Sequence, residues 1–224
     1  MIVIINPNST TSMTQAMLAT ARKALPNIDI QGWTSHDGPP AIQGAEDGAA
    51  AVPPLLKLVA QANDKGAEAI IIGCFDDTGL SQAREMSHCP VIGIGQAAYH
   101  MASLIGPRFS VVTTLAASVP VLESNLAAYG LDKNVGRVRA SGVPVLALEN
   151  DRENACLQVV AEAQRAVEED EINCIVLGCA GMTHIAEAYG PAFPVAMIDS
   201  VWSAAKFAGS LSGIIEPKRH SIRS

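Results

Sequence analysis

Two apolar runs constrain this chain more than anything else in it. "AIIIGC" (Ala69–Cys74) and "CIVLGC" (Cys174–Cys179) each close on Gly-Cys, and each opens into a short loop. Cys74 and Cys179 stand 105 residues apart (179 minus 74), just under half of the 224-residue chain. A run apolar on both faces is what a parallel strand covered by helices on either side requires. The neighbouring segments repeat in the same order, "IVIINPNST" matching "SVVTTLAAS" and "CPVIGIG" matching "FPVAMID". Between them lie stretches of helical periodicity, among them "MTQAMLATARKAL", "AAVPPLLKLVAQANDKG", "SVPVLESNLAAYG" and "NACLQVVAEAQRAVEEDE". Gly66 and Gly130 fall where a helix end favours glycine. Pro53 and Pro54 are expected in a first helical turn, where a missing N–H costs nothing. Strands alternating with helices build parallel sheets. Said twice, they build an α/β protein of two lobes related by a pseudo-twofold axis. Ligands of such sheets bind beyond the carboxyl ends of the strands, so both cysteines are expected to face one cleft.

Hydrophobic residues make up 49% and charged residues 17%, enough for a sizeable core; aromatics are only 4%, so that core is expected from Ala, Val, Ile and Leu. A net charge of −7 argues against a nucleic-acid surface, which needs a basic stripe. The basic cluster "PKRHSIR" reads as part of a frayed tail over 216–224. The N-terminus shows neither the basic region nor the cleavage site of a signal peptide. No apolar run approaches the roughly 20 residues that span a bilayer. The expected partner is therefore a small molecule, with no nucleic acid and no membrane. Five cysteines in a chain that reads as cytoplasmic are expected as free thiols.

Cys89, Cys156 and Cys174 lie in or beside apolar segments and read as small buried hydrophobes. Cys74 and Cys179 differ, because each ends a strand and precedes a turn expected to open a helix. A helix N-terminus lowers a thiol pKa, which would make thiolate available near neutral pH. Racemisation of a carbon acid suits such a pair. A proton leaves one face of the stereocentre and another arrives on the opposite face, so an equivalent acid–base group is wanted on each side. Backbone N–H groups at the strand-to-helix turns can stabilise the enolate oxygen, and no cofactor is required.

Other residues admit two readings. Asn8 serves either as a helix cap or as an amide that grips substrate. Thr113 and Thr114 occupy the matching loop of the second lobe, and strand alternation turns them differently toward the cleft. Asp76 and Asp77 suit turn formation, or contact with a polar substrate; a negative neighbour raises a thiol pKa and so opposes activation. His184 either orients the nearby thiol or is simply hydrogen-bonded. "GIGQAA" (Gly93–Ala98) matches a dinucleotide fingerprint but lacks the acidic residue ending the next strand. There is no C-x-x-C or H-E-x-x-H, and the histidines are scattered, which argues against a metal centre.

Taken together, "INPNST", "GCFDDTGL", "PVIGI", "VVTT", "VPVLALE" and "IVLGCAGM" resemble the hydantoin and allantoin racemase branch of the aspartate/glutamate racemase superfamily, from Met1 to about Leu211. The resemblance implies two flavodoxin-like lobes, cofactor-independent racemisation, and Cys74 and Cys179 as the catalytic pair. It implies substrate contacts at Asn8, Gln43, Thr113 and Thr114, and at Phe75, Asp76, Gly178 and Ala180 beside the cysteines. It also implies a first lobe over 1–98 completed by a C-terminal helix over 203–215, a second lobe over 99–202, and a homo-oligomer. The chain departs from the branch twice. Phe-Gly-Asp-Pro-Gly becomes Phe75-Asp76-Asp77-Thr78-Gly79, and Ile-Glu-Gly-aromatic becomes Ile42-Gln43-Gly44-Ala45. Gln43 and Asp77 are therefore expected to influence substrate choice. An aspartate- or glutamate-type racemase, and a two-lobed binding protein without catalysis, stand as alternatives.

Overall fold

A computed structural model describes residues 1–214; the tail expected over 216–224 lies outside the described residues. The first lobe runs β1 (Ile2–Asn6), α1 (Thr11–Ala24), β2 (Ile30–Thr34), α2 (Ala45–Asp64), β3 (Ala69–Ile72), α3 (Leu80–Met86) and β4 (Val91–Gly93). Helix α4 (Ile94–Ile105) leads into β5 (Phe109–Thr113), α5 (Val119–Ala128), β6 (Val135–Ala140), α6 (Ala147–Asn150), α7 (Arg152–Glu169), β7 (Cys174–Gly178), α8 (Thr183–Tyr189), β8 (Ala196–Asp199) and α9 (Ser200–Leu211). Each sheet has four strands, ordered β2-β1-β3-β4 and β6-β5-β7-β8, and every pairing is parallel.

The doubled pattern produces this order directly. In each sheet the chain steps outward from the first strand, then crosses back to pair on that strand's other side. The strand order therefore reverses between β1 and β3, and again between β5 and β7. At such a switch point the two crossovers leave in opposite directions and open a crevice at the carboxyl ends. The segments entering the first crevice are 6–8 and 73–74; those entering the second are 113–114 and 178–179.

Strand alternation assigns the core. Ile2, Ile4, Ile71, Val111 and Val176 face a shared interior packed with α1, α4 and α9. Val3, Ile5, Ile70 and Ile72 point outward beneath Leu55 and Val59 of α2, and Val112, Ile175 and Leu177 do the same beneath Val159 and Ala163 of α7. Three aromatic rings meet in the shared interior, with the Tyr99 ring 5.2 Å from Phe75 and 6.2 Å from Phe109. Helix α9 packs on α1, α4, β3 and β4. Among the described residues no helix is long and apolar enough to cross a membrane.

One helix start differs from expectation. Helix α2 begins at Ala45, so Pro53 and Pro54 sit inside it rather than in its first turn. Gly44, at φ 130°, turns the chain in, and Glu46 and Asp47 complement the positive end of the helix. The carbonyls left without partners by the prolines belong to exposed Ala49 and Ala50, where solvent serves them.

Candidate active site

Both crevices open onto one cavity. Cys74, Phe75 and Asp76 line it from the first lobe, and Gly178, Cys179 and Ala180 from the second. Asn8, Thr113 and Thr114 complete the set that the sequence assembles there. The cavity is small, about 30 Å³, close to the share of one water molecule. A larger concavity of about 470 Å³, beside Lys23, Met101 and Trp202, contains neither thiol and lies at neither switch point.

The two cysteine loops share a backbone design. The Asp77 N–H donates to the Cys74 carbonyl at 3.0 Å, and the Met182 N–H to the Cys179 carbonyl at 3.0 Å. The N–H two residues on, of Asp76 and of Gly181, donates to the respective sulfur. The preceding glycines allow close approach: a Cβ on Gly73 would stand 2.6 Å from Met17 Sδ, and one on Gly178 3.1 Å from Thr113 Cα.

The thiols are not activated as the strand-to-helix pattern suggests. Burial raises Cys74 strongly, with the Asp76 carboxylate adding to it, against the pull of the Thr78 hydroxyl, which donates to Sγ at 3.4 Å, and of the Asp76 N–H. Burial pushes Cys179 up to about 12, opposed by the Gly181 N–H and reinforced by Asp76 and Glu149. The reason is local. Helix α3 starts only at Leu80, and Cys179 opens a single 3-10 turn, Ala180–Met182, before the short α8. Neither sulfur sits on a helix end strong enough to offset its desolvation.

Asn8 does not cap α1, whose N-cap is Thr10 and carries no side-chain cap bond; it orders the loop before the helix instead. Its Oδ1 accepts from Asn6 Nδ2 at 2.9 Å and from the Thr10 N–H at 3.0 Å, ordering the loop. That network fixes the amide orientation and leaves Nδ2 beside only Met13 Sδ, 3.5 Å away. Thr113 spends its hydroxyl on the Gly178 carbonyl at 3.1 Å. Thr114 lines the same cavity without such a bond, as the alternation suggests.

Gln43 lies off the cavity, whereas Asp77 and His184 take the structural one of their two readings. Gln43 does not line the cavity; its Oε1 accepts from the Val145 N–H at 2.9 Å, tying the 42–44 segment to the 143–146 segment across the mouth. Asp77 is a clamp. It accepts from the Gly95 and Gln96 N–H groups at 3.0 and 2.7 Å, and from Tyr129 Oη at 2.8 Å. Burial raises it to about 7 despite those donors. A Cβ on Gly95 would run into the Phe75 carbonyl, so the "GIGQAA" glycines make room for this loop rather than for a dinucleotide. His184 lies away from Cys179, its Nε2 3.0 Å from Cys156 Sγ. Sequence reasoning missed Ile42 and Val145, which help roof the cavity; no short-range pattern marks them. Among the described residues, no three His, Cys, Asp or Glu side chains group as a metal site would require.

Two α/β lobes that each bring a thiol to one cleft define an isomerase of the racemase class, and comparison with known proteins agrees. The chain belongs to the Asp/Glu/Hydantoin racemase family, whose model matches residues 2–208. It is 43% identical to a hydantoin racemase of Rhizobium meliloti over 211 residues, 94% of this chain and 88% of that protein. It superposes on an allantoin racemase from Klebsiella pneumoniae with a TM-score of 0.93 at 35% identity, covering 98% of this chain and 91% of that one. An allantoin racemase from Pseudomonas fluorescens gives 0.90 at 32% identity, covering 97% and 94%. The protein is thus a racemase, and the reading as a binding protein without catalysis falls away.

Proposed function

We propose that this racemase interconverts the enantiomers of a cyclic ureide, a 5-substituted hydantoin or allantoin, using Cys74 and Cys179 as opposed acid–base groups and no cofactor. The observation that carries this is the cavity itself, with one thiol from each lobe and an N–H donor on each sulfur. In such a ring the stereogenic C–H is flanked by a carbonyl and a nitrogen, so its anion delocalises as an enolate. One cysteine, as thiolate, takes that proton. The electron pair moves into the carbonyl oxygen, and the thiol opposite protonates the carbon from the other face. Each turnover leaves the thiolate on the other sulfur, ready for the opposite hand. The Asn8 amide N–H₂ and the Thr114 hydroxyl are the donors that meet the substrate's carbonyl oxygens.

None of the lining residues is Lys, Arg or His. A substrate with two carboxylates would lack the cationic partners that such groups require, which disfavours the aspartate/glutamate alternative. A cavity of about 30 Å³ is smaller than a five-membered ring, so the lining side chains give way as the ring enters. The lobe division over 1–98 and 99–202, with the last helix returning to the first lobe, belongs to the same proposal.

Optical rotation tests it. Single enantiomers of alkyl hydantoins and of allantoin should lose rotation in the presence of EDTA. A strict need for added metal, or racemisation of aspartate or glutamate alone, would overturn it.

A further inference from the structure

The two cysteine loops differ in one chemically loaded place. Two residues after Cys74 stands Asp76; two residues after Cys179 stands Gly181. Both positions supply the same N–H to the sulfur beside them. Gly181 does this without a side chain, and a Cβ there would stand 3.0 Å from Leu148 Cδ1. The Asp76 carboxylate is therefore not needed to position a thiol.

It also works against the thiols. Its charge raises both Cys74 and Cys179. It lines the cavity with a rigid backbone: its carbonyl accepts from Asn125 Nδ2 at 2.9 Å, and the next residue is clamped to Gly95, Gln96 and Tyr129. Among the described residues the carboxylate has no hydrogen-bond or ion-pair partner, and it is the one ionisable oxygen acid among the lining residues. Burial raises it to about 6, so it still bears its charge at neutral pH. A fixed, unpaired carboxylate that hinders the acid–base pair makes sense if the substrate brings its counterpart.

We propose that Asp76 sorts substrates by charge, accepting a C5 substituent that carries an N–H donor or a cation and turning away an anionic one. The proposal rests on the reading of this site as a cyclic-ureide racemase. An unpaired carboxylate attracts an ammonium held nearby and repels a second carboxylate. Solvent in the site reduces this, so roughly a hundredfold spread between cationic and anionic substituents is the expected scale.

The test uses the whole protein and three probes: the hydantoins derived from lysine, leucine and glutamate, which are cationic, neutral and anionic at C5. The wild type should rank kcat/KM in that order, with roughly a hundredfold between the first and last. In Asp76→Asn the spread should shrink to about tenfold or less, each value being normalised to the neutral probe. Asp76→Gly, which installs the residue that serves the equivalent place in the other lobe, should shrink it likewise and covers any misfolding of the first variant. An unchanged spread in both folded variants overturns the proposal. If the wild type racemises none of the three, the reading of the reaction fails instead. The same probes then compete with iodoacetamide for Cys179. Protection strongest by the cationic probe in the wild type, and levelled in Asp76→Asn, supports the charge sorting; equal protection in both sinks it.

Discussion

The loops after Cys74 and Cys179 have matched backbones and unlike side chains. Each carries an N–H at the second residue onto the sulfur and another at the third onto the cysteine carbonyl. In the first loop Phe75 enters the aromatic interior and Asp77 grips the start of α4 and the hydroxyl of Tyr129. In the second, Ala180, Gly181 and Met182 are small or apolar and simply buried. The difference separates two demands. Acid–base work on two faces of one carbon needs equivalent sulfurs, and the backbone meets that need in both lobes. Of the two loops, only the first also carries a polar clamp, through Asp77 to Tyr129 of the second lobe.

If the sulfurs are equivalent in being half-buried and protonated, the pH profile should show it. Activity needs one thiolate, and Cys179 is held near 12 with Cys74 also raised. Well below those values the thiolate fraction rises tenfold per pH unit, so kcat/KM should climb about a hundredfold from pH 7 to 9. A plateau reached below pH 8 would mean that a sulfur is activated in a way this geometry lacks.

The next test concerns the clamp. Asp77→Asn turns an N–H₂ toward groups that themselves donate, and should cost about 1–3 kcal/mol, seen as a drop of roughly 2–12 °C in Tm. Its counterpart Met182→Leu nearly conserves volume and should cost less than about 1.5 kcal/mol. Equal losses would erase the distinction between the loops. The pH dependence has a definite sign. Asp77 is raised to about 7 in the folded state, so between about pH 4 and 7 the folded protein binds this proton more tightly than the unfolded chain. This group's contribution to stability therefore grows as pH falls through 7 and is complete near 4; Asp76 and Asp199, each raised to about 6, act the same way. His184, lowered by burial, opposes them. The gain in Tm between pH 8 and 5 should be smaller in Asp77→Asn than in the wild type.

The smallest effect concerns the tie between the lobes across the cavity mouth. Gln43→Ala removes the acceptor of the Val145 N–H, and that amide should exchange with deuterium roughly two- to tenfold faster. Unchanged exchange would show that the bond does not hold the roof.

What sequence could reveal follows from the range of each interaction. Strand ends and the doubled order are local, so the sheets, the cleft and both cysteines were legible in "IIIGC" and "IVLGC". Asp77 was not, because a carboxylate in a turn looks the same whether it meets a ligand or a helix start, and Tyr129 lies 52 residues away. Gln43 failed for the same reason, since its partner is 102 residues distant. The thiol acidities were not legible because a strand-to-helix turn does not reveal how many residues intervene before the helix, or how closely loops from both lobes crowd the half-buried sulfur. The start of α2 was hidden by Gly44 and Gly48, which read as loop until the packing of the helix overrides them.

The central claim is that the two thiols serve opposite faces of one carbon, and hydrogen exchange tests it most directly. Cys74→Ser and Cys179→Ser keep the side-chain size, but serine is a far weaker acid and base near neutral pH. Each variant should lose racemisation. Each should still exchange the C5 hydrogen of a hydantoin for deuterium in only one enantiomer, followed by NMR in D2O on each pure hand, and the two variants should choose opposite hands. Exchange of the same enantiomer by both variants, or racemisation at the parent rate by either, would contradict the account.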